Sequence, residues 1–581
     1  MTLHPVLSGE QILEQVKSNK LFYNNTQNVE TPHISAVLSN DDDELLAQIG
    51  YKPELKRHFS TLQVFGVAFS IMGLLPSIAS VLSYGFLAGP SGLLYGWIIS
   101  SLLILSIGYS MAVNGSSIPT SGGLYYWTNY YAPPKLKTVI SYLVGNTNSI
   151  ALVGALCSID YGFSQELLSI VVIAKDGDFE VTPSKTYGVF VACVLTHILI
   201  TCASLKNCSW LQTTSIIVNV VLIIFFIIAL PIGARNNFKS ASFVFANFDN
   251  LTNFPIGWVQ LSQAWLPAIW TIGAFDSVVH MSEECANATR AIPIGILGSI
   301  TACGSIGTII IIVILFCIQT DDIETHILGS KFGQPLAQII YDVLGKKWAI
   351  FFMVFVAIAQ WMMGASTLTA ISRQIWAFAR DNGLPFSFWI KRVNKKLSVP
   401  INAVITGGVL AILIGLLCII GTAASTALFT LYIAGNYFAW GVPTLLRLTT
   451  GRHLFEPGPF YHGKLINDVI GWISTIFIAF SIVMVMFPSN RNPSVDDMNY
   501  TCVITPGVWI LSLGYYLIYA HKIYHGPRKT VAEEEEDADE EERAGSSLSD
   551  NAGFSPVKTE ILDGVEEKLS NGEAHVRERK V

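Results

Sequence analysis

Apolar residues gather into runs of about twenty along this chain, the length that carries a helix across a hydrocarbon core of about 30 Å. Polar residues collect between the runs. Twelve runs predict spans at 61–84, 90–113, 138–160, 187–205, 210–231, 262–282, 293–317, 347–369, 400–420, 424–446, 466–487 and 502–520. A membrane β-barrel would instead show segments of about ten residues with alternating polarity, and none occurs. The pattern predicts an all-α polytopic membrane protein of about 12 transmembrane helices. It has a body over 61–520, a polar tail over 1–60 and an acidic tail over 521–581. Both tails are too polar to bury a core and read as disordered, open to regulatory or trafficking proteins.

Two of the spans are interrupted. The first reads Phe69-Ser70-Ile71-Met72-Gly73-Leu74-Leu75-Pro76-Ser77. Gly73 admits backbone angles closed to other residues, and Pro76 removes an N–H and crowds the preceding turn. The sixth reads Trp270-Thr271-Ile272-Gly273-Ala274-Phe275-Asp276-Ser277. Such breaks leave amides and carbonyls unpaired, which a bilayer tolerates only where they line a cavity. If spans 1–5 (about 61–231) and 6–10 (about 262–446) are two repeats, the breaks fall at matching positions, with 466–520 as extra helices. Matched interruptions in two halves point to a transporter's binding site; kinked packing helices are the plainer alternative.

Orientation adds chemistry to the breaks. Nineteen Lys and Arg near the span ends lie on the side of the two tails, against eight on the other. That bias places both termini in the cytosol. The half-helix after Gly73 then presents free N–H groups and a positive dipole end at mid-membrane, suited to a carboxylate. The half-helix ending near Gly273 presents free carbonyls, suited to an ammonium group. Candidate contacts are Ser70, Gly73 and Leu74 in the first span and Gly273, Phe275 and Asp276 in the sixth. Phe275 is a gate or a packing aromatic. Asn148 and Gln360 are secondary polar candidates on flanking spans. The expected ligand is a small zwitterion.

Of 581 residues only 13% are charged, about half the share of a soluble protein, and mean hydropathy is +0.49. Much of the net charge of −7 comes from Glu533 to Glu542. The nine cysteines include no CxxC pair and lie mostly in apolar runs, so they read as core thiols, with no metal site expected. Charges inside spans are rare and mark function. Asp276, His280, Glu283 and Glu284 fall at i, i+4, i+7 and i+8, one face of a continuous helix. They read as a proton relay with Asp276 deepest; alternatively Asp276 caps the second half-helix. Asp160 reads as an interfacial charge and His197 as a packing histidine. Neither a phosphate-cradling glycine loop nor HExxH nor a nucleophile–base arrangement is visible, so no enzyme and no cofactor are expected. The basic stretch Lys391 to Lys396 faces lipid headgroups rather than nucleic acid. Asn250-Leu251-Thr252 and Asn499-Tyr500-Thr501 are sequons on the side away from the tails.

Three stretches carry a family resemblance: Ser116-Ser117-Ile118-Pro119-Thr120-Ser121-Gly122-Gly123-Leu124-Tyr125-Tyr126-Trp127, then Gly273 through Glu284 to Arg290-Ala291-Ile292-Pro293, and Ser372-Arg373-Gln374-Ile375-Trp376-Ala377-Phe378-Ala379-Arg380-Asp381-Asn382-Gly383-Leu384-Pro385. They resemble permeases of the amino acid–polyamine–organocation superfamily, in the fungal branch containing GABA and choline permeases. Glu54 to Gly66 and Leu74 to Ser80 look most like yeast GABA permeases. The resemblance spans roughly residues 44–525. It implies a leucine-transporter-type fold of five-plus-five inverted repeats with helices 1 and 6 broken. It also implies proton-coupled uptake of a small amino acid, 4-aminobutyrate (GABA) first, at the vacuolar or plasma membrane. Val113-Asn114-Gly115 departs from relatives that carry an acidic residue before the Ser-Ser pair, and span 5 lacks the lysine some bacterial relatives use. A choline or polyamine permease is the alternative substrate reading, and a nutrient sensor with little flux the alternative of another class.

Overall fold

Ser60 starts the first span with a capping box. Its Oγ accepts from the Gln63 amide at 3.4 Å, and Gln63 Oε1 accepts from the Ser60 amide at 3.0 Å. Helix α1 (Thr61–Met72) runs from that cap to Gly73, which sits in the left-handed region at φ 40, and α2 (Leu74–Phe86) continues beyond it. The computed structural model describes residues 46–47, 51, 57, 59–203, 205–394, 396–397, 399–420, 422–494 and 498–528. These residues belong to one compact unit that ends at Arg528. The expectation for most of the two tails falls on residues outside that range.

The chain continues through α3 (Gly89–Ser117), the short α4 (Gly123–Tyr131), α5 (Lys137–Ala174), α6 (Pro183–Ala203) and α7 (Leu205–Ala234). The second half holds α8 (Leu266–Thr271), α9 (Ser277–His280), α10 (Ala288–Cys317), α11 (Pro335–Leu344), α12 (Lys346–Arg380), α13 (Ile401–Ile414), α14 (Leu417–Ile420) and α15 (Thr422–Leu448). Helices α16 (Lys464–Met484) and α17 (Thr501–Ile518) close the sequence of long elements. Among the described residues, 10 helices are long and apolar enough to cross a membrane. The two further expected spans coincide with the broken α8–α9 segment and with α15. No strand occurs among the described residues, only isolated bridges such as Phe59 with Cys285.

Two helices outrun their expected lengths. The third span ends at Ala174 rather than at 160, and the eighth at Arg380 rather than at 369. Hydropathy falls at Asp160 and Ser372, but both side chains are fully buried inside the bundle. Polar groups that find partners within a bundle do not end a helix, so the apolar signal stops before the hydrogen-bonded ladder does. Asp160 is therefore not an interfacial charge: its Oδ2 lies 3.3 Å from His197 Nδ1. The Asn499 side chain of the second sequon is buried, and its amide donates to the Val485 and Phe487 carbonyls at 2.8 and 3.0 Å. The broad core joins α3 to α10 and α5 to both α12 and α15, so α5 is a central strut of the bundle.

Candidate substrate and coupling site

The break in the first span is held open by sulfur and hydroxyl contacts. A Cβ on Gly73 would lie 2.8 Å from Met363 Sδ on α12, which leaves no room for a side chain there. The Ser77 hydroxyl donates to the Met72 carbonyl at 2.6 Å, while the Ser77 amide returns to the Gly73 carbonyl at 2.8 Å. Helix α2 therefore starts at Leu74 with first-turn amides that have no preceding helical carbonyl. Ser70 Oγ is buried with no hydrogen-bond partner, and Leu74 is fully buried beside the break.

The sixth span is broken more widely. α8 ends at Thr271, Ala274 takes a left-handed φ of 55, and α9 begins at Ser277. The carbonyls of Thr271, Ile272 and Gly273 follow the last turn of α8, where helical N–H groups run out. Backbone in the left-handed region is strained for a residue other than glycine and persists only where its surroundings enforce it. A Cβ on Gly273 would meet the Tyr432 hydroxyl of α15, so the break is closely packed. Phe275 is fully buried and packs on Trp440 in a tilted arrangement, with ring centroids 4.5 Å apart.

Asp276 does not cap α9: no side-chain capping bond forms. Its carboxylate turns instead to α5, where Asn148 Nδ2 donates to Oδ2 at 3.1 Å and to Asn436 Oδ1 at 3.0 Å. His280 Nε2 lies 3.6 Å from the same Oδ2. Asp276 Oδ1, Asn148 Oδ1, Ser277 Oγ and Thr147 Oγ1 are buried without hydrogen-bond partners. Asn436 and Tyr432 on α15 are site residues that the sequence reading missed. The only signal was an Asn and a Tyr four residues apart in an apolar run. Gln360 is not part of this group: its amide donates to the Ile159 carbonyl at 3.0 Å and faces Ser80 at 3.4 Å.

Glu283 and Glu284 do not continue the face that carries Asp276 and His280. The α-helix ends at His280, and a 3₁₀ turn over Ser282–Glu284 sends the two carboxylates apart. Glu284 pairs with Arg373 at 2.7 Å; Glu283 takes Arg380 at 3.0 and 3.2 Å and the Ser121 amide at 3.0 Å. His280 Nδ1 in turn lies 3.1 Å from the Ser121 carbonyl. Polar groups thus run from Asp276 through His280 and Ser121 to Glu283 and Arg380. Beyond them, Asp381 Oδ2 accepts from the Tyr125 hydroxyl at 2.7 Å and the Tyr51 hydroxyl at 3.0 Å, and Oδ1 accepts from the Arg528 amide at 3.2 Å. Burial, then the adjacent Asp381 charge, pushes both tyrosine hydroxyls well above their usual range, which keeps them donors. At the opposite end, Phe429 is ringed by Trp270, Tyr161 and Tyr84 at centroid distances of 5.2, 6.4 and 6.5 Å. Ion pairs close one end of the site and aromatics the other.

Residues 59–508 match the family described as amino acid permease. The chain is 50% identical over 510 residues to the GABA-specific permease of Saccharomyces cerevisiae, covering 87% of this chain and 89% of that protein. It is 33% identical over 514 residues to an uncharacterised amino-acid permease of Schizosaccharomyces pombe, covering 88% and 91%. A second such permease from that yeast is 31% identical over 505 residues, covering 86% and 90%. With two broken helices meeting at a closed polar site and a family match over most of its length, the chain belongs to the amino acid permease family and is an integral membrane transporter, not an enzyme.

Proposed function

We propose that this permease imports a small zwitterionic amino acid, GABA first, together with protons, by alternating access of two five-helix repeats. The observation that carries the substrate is 50% identity to a GABA-specific permease over 87% of the chain. Amides after Gly73, with Ser70 and Leu74 beside them, take the carboxylate. Carbonyls before Ala274, with Asp276 and Phe275, take the ammonium group. This division is supported by the helix ends meeting at the site and by a carboxylate there that no Lys or Arg among the described residues pairs with.

The proton enters this scheme at Asp276 and leaves through His280, Ser121 and Glu283, with Glu284 holding Arg373 in the same inner layer. Both termini are cytosolic, and the protein resides in the vacuolar or plasma membrane; its tails take regulatory or trafficking partners. Uptake of labelled GABA into proteoliposomes, with unlabelled GABA, choline, putrescine, lysine and alanine as competitors, tests this reading. GABA should displace label best. Stronger displacement by choline or putrescine replaces the amino acid with a cation, and binding without flux replaces the carrier with a sensor.

A further inference from the structure

Glu166 is a buried carboxylate that this cycle leaves without a task. It sits on α5 toward the end away from Arg380 and is fully buried. One oxygen, Oε1, accepts from the Ser80 hydroxyl of α2 at 3.3 Å; the other, Oε2, has no partner. Ser80 Oγ also lies 3.4 Å from Gln360 Nε2 of α12, and Gln360 Oε1 is a second buried acceptor with no donor. Ser80 and Gln360 meet over Gly162, where a Cβ would lie 2.6 Å from Ser80 Oγ and 3.0 Å from Gln360 Nε2. The cluster therefore draws together the outer half of the first span, the third and the eighth.

No cation among the described residues balances Glu166. On its own helix the other titratable and charged groups are Lys137 at the first turn, Tyr142, Cys157, Asp160, which is held by His197 of α6, and Tyr161, with Lys175 just beyond the last turn. α2 brings only Tyr84 besides its serines; α12 carries Lys346 and Lys347 in its first turn, Lys346 paired with Asp176, and Arg373 and Arg380 toward its other end, paired with Glu284 and Glu283. α15 brings Tyr432, which is turned to the sixth-span break. An ionisable residue inside a membrane bundle with no counter-charge marks a functional site, and a half-satisfied buried network is unstable unless something completes it.

We propose that Glu166, Ser80 and Gln360 form an outer proton-binding site that fastens the outer half of the first span to the third and eighth spans. A proton from the outer solution adds to Glu166 Oε2, with no other bond made or broken. Oε2 then becomes a donor in a cluster holding an unused acceptor, Gln360 Oε1. Loss of the proton leaves a bare charge and two acceptors without donors, which favours withdrawal of α2 and opening of the outer side. The inference rests on the proton-coupled reading above and adds the step by which external pH sets closure.

The test is labelled-GABA uptake into proteoliposomes at fixed internal pH with external pH varied, for wild type, Glu166→Gln, Glu166→Asp and Ser80→Ala. Glu166→Gln, fixed in the neutral form, should lose the external-pH dependence while counterflow remains detectable. Glu166→Asp keeps a titrating group and should keep the dependence. Ser80→Ala removes the hydroxyl that favours the charged form, so its profile should shift to higher pH, an effect a packing role would not produce. A wild-type profile in both Glu166→Gln and Ser80→Ala overturns the inference and leaves proton coupling standing. A wild type indifferent to external pH overturns both.

Discussion

The side-chain amide of Asn148 donates to Asp276 at 3.1 Å and to Asn436 at 3.0 Å, so one nitrogen ties the third span to the broken sixth and to the tenth. A neutral residue therefore joins the Asp276 carboxylate to both α5 and α15. Asp276→Asn keeps the size of the side chain and removes its titration. Gradient-driven accumulation should be lost in proteoliposomes while counterflow persists. Normal accumulation with normal pH dependence would remove Asp276 from the coupling path.

Gly73→Val should abolish uptake or raise KM steeply although the protein still reaches the membrane. Two effects act together: φ 40 is strained for a β-branched residue, and the added carbon meets Met363 Sδ at 2.8 Å. Met363→Ala should recover part of the folding loss but not the affinity, since the amides after Gly73 would still be crowded by valine. Surface labelling alongside substrate titration separates the two.

A site that matches both substrate charges should discriminate against ligands that carry only one. Leaving a buried polar group unmatched costs about 1–3 kcal/mol, so GABA should outcompete butylamine and butyrate by about five- to 150-fold. Inhibition constants against labelled GABA measure this directly. Butylamine as potent as GABA would assign the site to cations.

Glu283 and Arg380 form a buried bidentate pair, and removing one partner of such a pair costs about 3–5 kcal/mol. Glu283→Gln should fall near the lower end, because Asp381 stays beside Arg380. Combining Glu283→Leu with Arg380→Met should recover most of the loss. Thermal unfolding in detergent gives the coupling energy. Equal stability of the single and double variants would mean that the pair does not hold the inner layer together.

Asp381 gives a pH prediction with a definite sign. Burial pushes its carboxyl up, opposed by Arg380, the Tyr125 hydroxyl, the Arg528 amide and the Tyr51 hydroxyl. A carboxyl raised in the folded state binds more protons folded than unfolded, so its contribution is full below the unfolded value of about 3.9 and is lost as pH rises through the folded value. The melting temperature of wild type relative to Asp381→Asn should therefore fall as pH rises from about 4. A difference that grows with pH would reverse the assignment.

Much of this architecture is local and so could be read along the chain. Hydropathy counts residues that lipid must solvate, and the glycines and proline at 73, 76 and 273 act on their own backbone. Those features determined the spans and the two breaks, and the stretches 116–127, 273–293 and 372–385 carried the family. Partners far apart in sequence were decided only in three dimensions. Asn148 meets Asp276 across 128 positions, Ser80 meets Glu166 across 86, and Glu284 meets Arg373 across 89. Each contact turns a polar residue that would halt an apolar run into a buried, bonded one. That is why α5 and α12 continue past their expected ends, why Asp276 faces α5 instead of capping α9, and why Asn436 and Tyr432 went unnoticed in the tenth span. A side chain's partner depends on how helices cross, and helix crossing is a property of the packed bundle, not of any window of sequence.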